Sequence, residues 1–255
     1  MLKIAHITDL HLLAKKEDKV GGLNPYERLK QIVALVRRIQ DLDCVIVTGD
    51  IAHHSEYEAY IHANELLKEI NAPIFWLQGN HDFAQVMLQV ANRVKIRSDK
   101  SFIIKDTKFI LLQTVLRDEV DLTKNRGRGL LFEYELSFLK RELEEDNFKQ
   151  AVIGLHHPPL LTNTWIDRRG LVNREEFTTI LENYPKVSLV LYGHQHLAQQ
   201  KLINGINYIT SPPTSYHYNP DGEEFSLIDN KSGFGIISID DHRKIIFEEI
   251  YLESN

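Results

Sequence analysis

Asp9 and His11 stand one residue apart where the apolar run LKIAHIT ends. A carboxylate and an imidazole both prefer water, so a strand that closes on them is either surfacing or presenting ligands. Side chains at i and i+2 of an extended chain project to the same side, so one cation could take both. Alone, D-x-H reads as readily as a polar turn. The pair has company, however: DCVIVT leads into Gly49-Asp50, and PIFWL runs through Gln78 into Gly79-Asn80-His81-Asp82. AVIGL leads into His156-His157-Pro158-Pro159, and VSLVLY into Gly193-His194-Gln195-His196. A polar loop explains any one cluster and fails for the set. The glycine before three of them would let the backbone turn sharply and bring the next side chain into a crevice.

Two carboxylates, an amide oxygen and several imidazoles are more donors than one tetrahedral zinc accepts. Mixed N/O donors without thiolate suit manganese, iron or zinc. Seven such ligands with one carboxylate shared fill two sites and leave places for solvent. That points to a two-metal centre with ions ~3.5–4 Å apart, the spacing that clamps an in-line displacement at phosphorus.

The elements that must position these clusters alternate along the chain. A strand LKIAHIT is followed by a helix from Pro25 to Gln40, whose Leu29, Ile32, Val33, Val36 and Ile39 share a face, and by the strand DCVIVT. A helix from Glu56 to Ile70 precedes PIFWL, repeating the β-α-β pattern that implies parallel pairing. After Phe83 come a hairpin of SFIIK and KFILLQ, a helix from Tyr134 to Glu145, AVIGL, a helix from Arg174 to Asn183, and VSLVLY. KLI and INYIT flank Asn204-Gly205, a pair that suits a type I′ turn, and FGIISI with KIIFEEIYL closes the chain as a hairpin. No repeat, low-complexity tract or linker interrupts residues 1–255, which read as a single α/β domain of two sheets with helices on the outer faces. In open α/β sheets the carboxyl ends of strands converge on one crevice, and every cluster above falls at such an end.

Composition narrows the function further. With 255 residues, 43% hydrophobic and 26% charged, the chain can bury a substantial core. A net charge of −6 disfavours a long nucleic acid as partner, since that needs a basic stripe, and the one dense basic stretch, 124–128, reads as a solvated loop. The lone Cys44 cannot form an intrachain disulfide and reads as a small core residue in a reducing compartment. A strand begins within two residues of Met1, and no apolar run approaches the ~20 residues that span a bilayer. A cytoplasmic protein without membrane attachment is expected, and assembly as a homodimer stays open.

In order, D-x-H, G-D, G-N-H-D, H-H-P and G-H-x-H resemble the motif series of the calcineurin-like metallophosphoesterases. The resemblance implies a four-layer α-β-β-α sandwich, two mixed sheets flanked by helices, with a dimetal site at its loop edge. It implies that Asp9, His11, Asp50 and His196 hold one metal. Asp50 bridges to a second, which Asn80, His156 and His194 complete. The implied ions are divalent or mixed-valence, Fe or Mn foremost and Zn as the other choice. His81 is the implied catalytic acid facing the substrate, and His11, Asp50, Asn80, His81 and His196 are the implied substrate contacts. The resemblance makes His156 rather than His157 the implied ligand, because the family pattern places it two residues before the first proline.

HHPPLLTNTWIDRRGLVN and SPPTSYHYNPDGEEFSL are further similar to class III cyclic nucleotide phosphodiesterases, the bacterial cyclic-AMP group. This implies in-line attack of a metal-bridging hydroxide on a small phosphodiester, a 3′,5′-cyclic nucleotide such as cAMP. Trp165 and Asp167, with Tyr216, His217 and Tyr218, would wall the base pocket. Other substrates for the same site are a glycerophosphodiester, a 2′,3′-cyclic nucleotide or a phosphomonoester. A non-catalytic scaffold of the same fold is disfavoured because every ligand position is filled. Many relatives carry Asp shortly after G-D, where this chain has His53 and His54, so a different partner is expected to orient His81. His6 and His62 are assigned no role.

Overall fold

In the computed structural model the described residues are 1–91, 93, 96–116, 127–222, 226–229 and 231–253. The basic residues Lys124 and Arg126 lie outside them; Arg128 is exposed.

The first sheet has five strands in the order β13-β12-β1-β2-β3: Ile245–Tyr251, Gly233–Ile239, Leu2–Ile7, Cys44–Val47 and Ile74–Trp76. Strands β1, β2 and β3 are parallel, joined through helices α1 (Pro25–Val36) and α2 (Tyr57–Leu67), while β12 runs antiparallel to β1. Helix α1 starts as its residues dictate: the Asn24 side chain accepts from Glu27 N at 2.9 Å, and Pro25 takes the first turn, where its missing N–H costs nothing. Helix α3 (Ala84–Ala91) follows β3.

The second sheet has six strands in the order β4-β5-β6-β7-β9-β8: Ser101–Ile104, Thr107–Leu111, Gln150–Gly154, Val187–Tyr192, Ile206–Thr210 and Gln199–Ile203. Its middle strands β5, β6, β7 and β9 are parallel and its two edges antiparallel. Helices α4 (Glu133–Glu144) and α5 (Arg174–Glu182) supply the crossovers. Asn204 and Gly205 both take positive φ, 50° and 82°, in the turn between β8 and β9, as the type I′ expectation requires. Strands β10 (His217–Tyr218) and β11 (Leu227–Asp229) form a small separate pair.

Strand alternation builds the four layers. Ala5, Ile7, Val45 and Val47 pack under α1 and α2, while Ile4, Cys44 and Ile46, one residue out of phase, face the other sheet. The second sheet mirrors this: Ala151, Ile153 and Val190 pack against α4 and α5, and Val152, Leu189, Leu191 and Ile209 meet the first sheet. The expected four-layer sandwich of two mixed sheets is what forms, and Cys44 is a core residue of its inner layer. A fully buried aliphatic side chain gains ~1.5–3 kcal/mol over an exposed one, so polar groups on this inner face need a reason. His6, Thr48 and Ser211 continue the inward-facing positions Ile4, Ile46 and Ile209 two residues on, all fully buried. The inner layer turns polar as it nears the strand ends.

Candidate metal centre

The loops that leave these strands hold their backbones in a conformation the sequence does not advertise. Asp9, His11, Asp50, His194 and His196 all adopt positive φ, between 50° and 71°. Left-handed backbone costs a non-glycine residue on the order of 1–3 kcal/mol and concentrates at sites where the surroundings over-determine it. Here it turns each side chain inward at the end of its strand.

The glycines play a part different from the expected one. Of the three that precede the clusters only Gly49 has positive φ, 93°, although the chain turns after Gly79 and Gly193 as well, whose carbonyls accept from Asp82 N and Gln195 N. All three are small because ligands occupy the space beside them. A Cβ on Gly79 would overlap the Asp50 carboxylate and backbone, one on Gly193 the Thr8 hydroxyl, and one on Gly49 would lie 2.7 Å from His156 Nδ1. Positive φ calls for glycine at Gly49 alone; close approach calls for it at all three.

Asp9, His11, Asp50 and His196 present one donor atom each within 4.8 Å of one another. His11 Nε2 lies 3.5 Å from Asp50 Oδ2 and 3.1 Å from His196 Nε2, which is 3.5 Å from Asp9 Oδ1. On the other side of Asp50 Oδ2, His156 Nε2 stands at 3.4 Å and contacts Asn80 Oδ1 at 3.1 Å. His194 Nδ1 lies 2.8 Å from the same Asn80 oxygen and 3.3 Å from His156 Nε2. Asp50 therefore stands between two donor sets, and all seven residues expected as ligands come together. His157 lies close by, but its Nδ1 pairs with Thr114 Oγ1 at 2.8 Å.

Hydrogen bonding tests whether cations fit. His156 Nδ1 donates to Thr48 O at 2.7 Å and His196 Nδ1 to Tyr216 O at 2.6 Å, so when either ring is neutral its Nε2 turns a bare lone pair toward carboxylates and other nitrogens. Lone pairs meeting at such distances repel unless a proton or cation lies between them, and a ring held by a backbone carbonyl is the usual support of a metal-bound histidine. Burial keeps His11, His194 and His196 neutral, the last lowered to about 3. Burial also opposes charge on His156, but Asp50 draws it up to about 9. Burial raises Asp9 to about 7, whereas for Asp50 the positive field of His156 and His81 overcomes burial and holds it well below the usual carboxylate range. The donor set fits two cations that share Asp50.

Buried partners outside the donor set steady it. Thr8 Oγ1 donates to Asp9 Oδ2 at 2.9 Å and accepts from Thr48 Oγ1 at 2.8 Å. Thr48 must then accept from His6 Nε2–H at 2.9 Å, leaving His6 Nδ1 to accept from Ser211 at 2.8 Å. His6, unassigned from sequence, thus anchors a directed chain that ends on Asp9. Asp82, the last residue of G-N-H-D, was also missed: its carboxylate accepts from the N–H groups of Ile51, Ala52 and Gly79 and from Tyr60, tying the Asp50 loop to the Asn80 loop. Only its place beside Asn80 could have hinted at this.

His81 N donates to Asp50 Oδ1 at 2.8 Å, and His81 Nδ1 donates to the His53 carbonyl at 2.8 Å. Its orienting partner is therefore backbone rather than an acid, in line with the His53 departure. A cavity of about 390 Å³ opens beside it, walled by Trp165, Tyr216 and Tyr218 and floored by Asp50, Asn80, His81 and His194. Of the expected substrate contacts, His11 and His196 are buried and do not line it. Nor do Asp167 and His217. Asp167 caps the loop before its own 3₁₀ turn, Trp165–Arg169, by accepting from Thr162 N and Asn163 N at 2.8 Å each, and the His217 ring is buried edge-on to Tyr251. Tyr218 stacks on His196 at 4.1 Å, and Trp165 Nε1 donates to Asn219 O at 2.8 Å. A cleft of about 510 Å³ at the far end of the sheets has its cations already engaged, Lys105 on Asp43, Lys149 on Asp106, Lys186 on Asp146 and Arg243 on the carbonyls of Lys149 and Pro185.

The family model of calcineurin-like phosphoesterases matches residues 2–198. The chain belongs to that family. It is thus an enzyme of metal-assisted phosphoester hydrolysis, as its motif series implied. It is 32% identical over 243 residues to a 3′,5′-cyclic-nucleotide phosphodiesterase of Nostoc sp., covering 93% of this chain and 88% of that protein. It is also 32% identical over 228 residues to the 3′,5′-cyclic adenosine monophosphate phosphodiesterase CpdA of Escherichia coli K12, covering 89% and 81%. In fold it is similar to a dimetal phosphatase from Danio rerio, with a TM-score of 0.72 at 15% identity over 98% of this chain and 96% of that one.

Proposed function

We propose that the protein hydrolyses small phosphodiesters, 3′,5′-cyclic nucleotides such as cAMP foremost, at a centre of two divalent or mixed-valence ions. Asp9, His11, Asp50 and His196 would hold one ion, and Asp50, Asn80, His156 and His194 the other. The observation that carries the substrate class is the aromatic wall. Trp165, Tyr216 and Tyr218 enclose a cavity sized for a small ligand beside the donor set, and both tyrosines lie beyond residue 198, where the family model ends. A nucleobase stacks on such rings, whereas a simple phosphate gains nothing from them.

Bound cations supply Lewis acidity at the phosphoryl group and lower the pKa of water toward ~7. The chain's own residues do the rest. With Nδ1–H committed to the His53 carbonyl, His81 keeps Nε2 for the cavity it lines, where a protonated ring can give its proton to the departing ribose oxygen. The His81 backbone N–H steadies Asp50 Oδ1, leaving Oδ2 free to be shared. Donors of nitrogen and oxygen, with the only thiol buried between the sheets, favour manganese or iron, with zinc as the other choice. The net charge of −6 and the small cavity disfavour a long nucleic acid. Among the described residues no helix is long and apolar enough to cross a membrane. We place the protein in the cytoplasm on its lone, buried thiol.

The test is a substrate panel with Mn²⁺-reconstituted protein: 3′,5′-cyclic AMP and GMP, the 2′,3′-cyclic isomers, bis-p-nitrophenyl phosphate and p-nitrophenyl phosphate. The expected result is the highest kcat/KM on a 3′,5′-cyclic nucleotide. Equal or faster turnover of p-nitrophenyl phosphate would assign a phosphomonoesterase instead.

A further inference from the structure

His53 touches both kinds of residue at the centre. Its ring nitrogen Nδ1 lies 3.0 Å from His11 Nδ1, and its carbonyl accepts from His81 Nδ1 at 2.8 Å. Its own N–H donates to Leu12 O at 2.8 Å, beside the bridge that pairs Leu12 with Ala52. Backbone and ring together thus clamp His53 between the loop carrying Asp9 and His11 and the loop carrying Asn80 and His81. The rings close around it: His53 and His81 stack at 5.1 Å, and His11 meets His81 edge-on at 4.7 Å.

Two ring nitrogens 3.0 Å apart share one proton, and its place can be deduced. His11 turns Nε2 toward Asp50 and His196, so in the ligating ring that nitrogen is bare and Nδ1 carries the hydrogen. His53 Nδ1 must then accept, which puts the hydrogen of the His53 ring on Nε2. Although His11, His53 and His81 lie close enough to suggest a third cation site, the Nδ1 atoms of His11 and His81 are spent on His53. The trio is a hydrogen-bonded support, not another cage.

We propose that His53 is the positioning residue of the centre: its imidazole fixes the tautomer and aim of the metal ligand His11, and its carbonyl fixes those of His81. The two roles separate chemically, because substitution removes the ring and leaves the carbonyl. This inference rests on the metal assignment proposed above. Loss of a partner to a metal-bound histidine typically costs about 10- to 100-fold in metal affinity.

The experiment measures Mn²⁺ affinity of wild type, His53→Leu and His53→Asn by calorimetry, with thermal midpoints of the metal-free proteins as a folding control. It also reads the histidine tautomers of the Zn²⁺-loaded wild type by long-range ¹H–¹⁵N NMR. Expected are the Nδ1–H form for His11 and the Nε2–H form for His53. One site should weaken by about 10- to 100-fold in His53→Leu, with recovery in His53→Asn, whose side-chain oxygen can accept where Nδ1 did. Equal affinity in all three, or an Nδ1–H form of His53, overturns the proposal while leaving the metal centre standing. Fewer than two ions in the wild type overturns the metal assignment itself, and this inference with it.

Discussion

His156 Nε2 lies 3.4 Å from Asp50 Oδ2, an imidazole and a carboxylate that burial alone would leave uncharged. Each holds the other's charge instead, and the His156 proton, with a pKa drawn up to about 9, fills a place a cation would take. A metal ion needs the lone pair and must displace that proton. Below pH 9 metal uptake at this site should therefore release one proton, with apparent affinity rising about tenfold per pH unit and levelling above 9. Mn²⁺ titrations from about pH 6 to about pH 10 check the slope. A flat profile would mean that no proton stands between His156 and Asp50 in the metal-free protein.

The Asp50 carboxylate reaches a histidine of each donor set, within 3.5 Å of His11 and 3.4 Å of His156. Asp50→Ala should lower metal occupancy at both sites and abolish hydrolysis, whereas Asp9→Ala should empty one. Elemental analysis of the reconstituted proteins distinguishes the outcomes. Intact metal content in Asp50→Ala would reduce Asp50 to a structural charge.

Gly79 should tolerate no side chain. A Cβ there would overlap both the carboxylate and the backbone N of Asp50, and the backbone cannot swing aside as a flexible side-chain end can. Gly79→Ala should cost about 1–3 kcal/mol by overpacking and weaken metal binding together with stability. Urea unfolding and Mn²⁺ titration of the variant read both. At Gly205 an added methyl would meet nothing within 4 Å, so Gly205→Ala tests only left-handed strain and should leave metal binding intact.

How much of this was legible depended on the range of the interaction that decides it. Apolar periodicity is local, so the strands and α1, α2, α4 and α5 could be read directly. So could the turn at Asn204-Gly205, and with them the strand ends where ligands gather. The exact helix ends could not: α1 stops at Val36 rather than Gln40, because nothing in residues 37–40 announces the end. The short α3, the 3₁₀ turn and the pair β10–β11 went unread, since each is stabilised by what it packs on more than by its own pattern. The left-handed backbone at Asp9 and His196 is likewise a tertiary decision. So is the contrast between Asp167, turned into its own loop, and Trp165 two residues earlier, turned to the cavity. Motif order supplied the seven donors together with His81. It left silent His6 and Asp82, whose partners lie on other strands and loops, and marked His53 only as a departure that would change the partner of His81.

His6 makes a pH prediction separate from the metals. Burial lowers it from 6.5 to about 3. Between those values the unfolded chain binds a proton that the folded protein refuses, so the stability contributed by neutral His6 is complete above pH 6.5 and is lost as pH falls toward 3. The slope is up to about 1.4 kcal/mol per pH unit. In His6→Gln the side chain stays polar but does not titrate. Denaturant unfolding of metal-free protein from about pH 7 to about pH 4 should show a shallower acid loss in the variant. Parallel curves would mean that His6 becomes protonated without unfolding.

His81 is held from two sides, by its backbone N–H on Asp50 and its Nδ1–H on the His53 carbonyl, so Nε2 remains for the substrate. His81→Ala keeps the first bond, which is backbone, and should keep both metals. If Nε2–H protonates the leaving oxygen, kcat on a 3′,5′-cyclic nucleotide should fall by about 10²- to 10⁴-fold, because a ribose alkoxide is a poor leaving group. The fall should shrink on bis-p-nitrophenyl phosphate, whose phenolate departs without a proton. Comparing the two substrates at saturating Mn²⁺, with metal content measured on the same samples, separates the alternatives. An equal loss on both would assign His81 to binding the phosphoryl oxygens, and a loss of metal would make it a ligand.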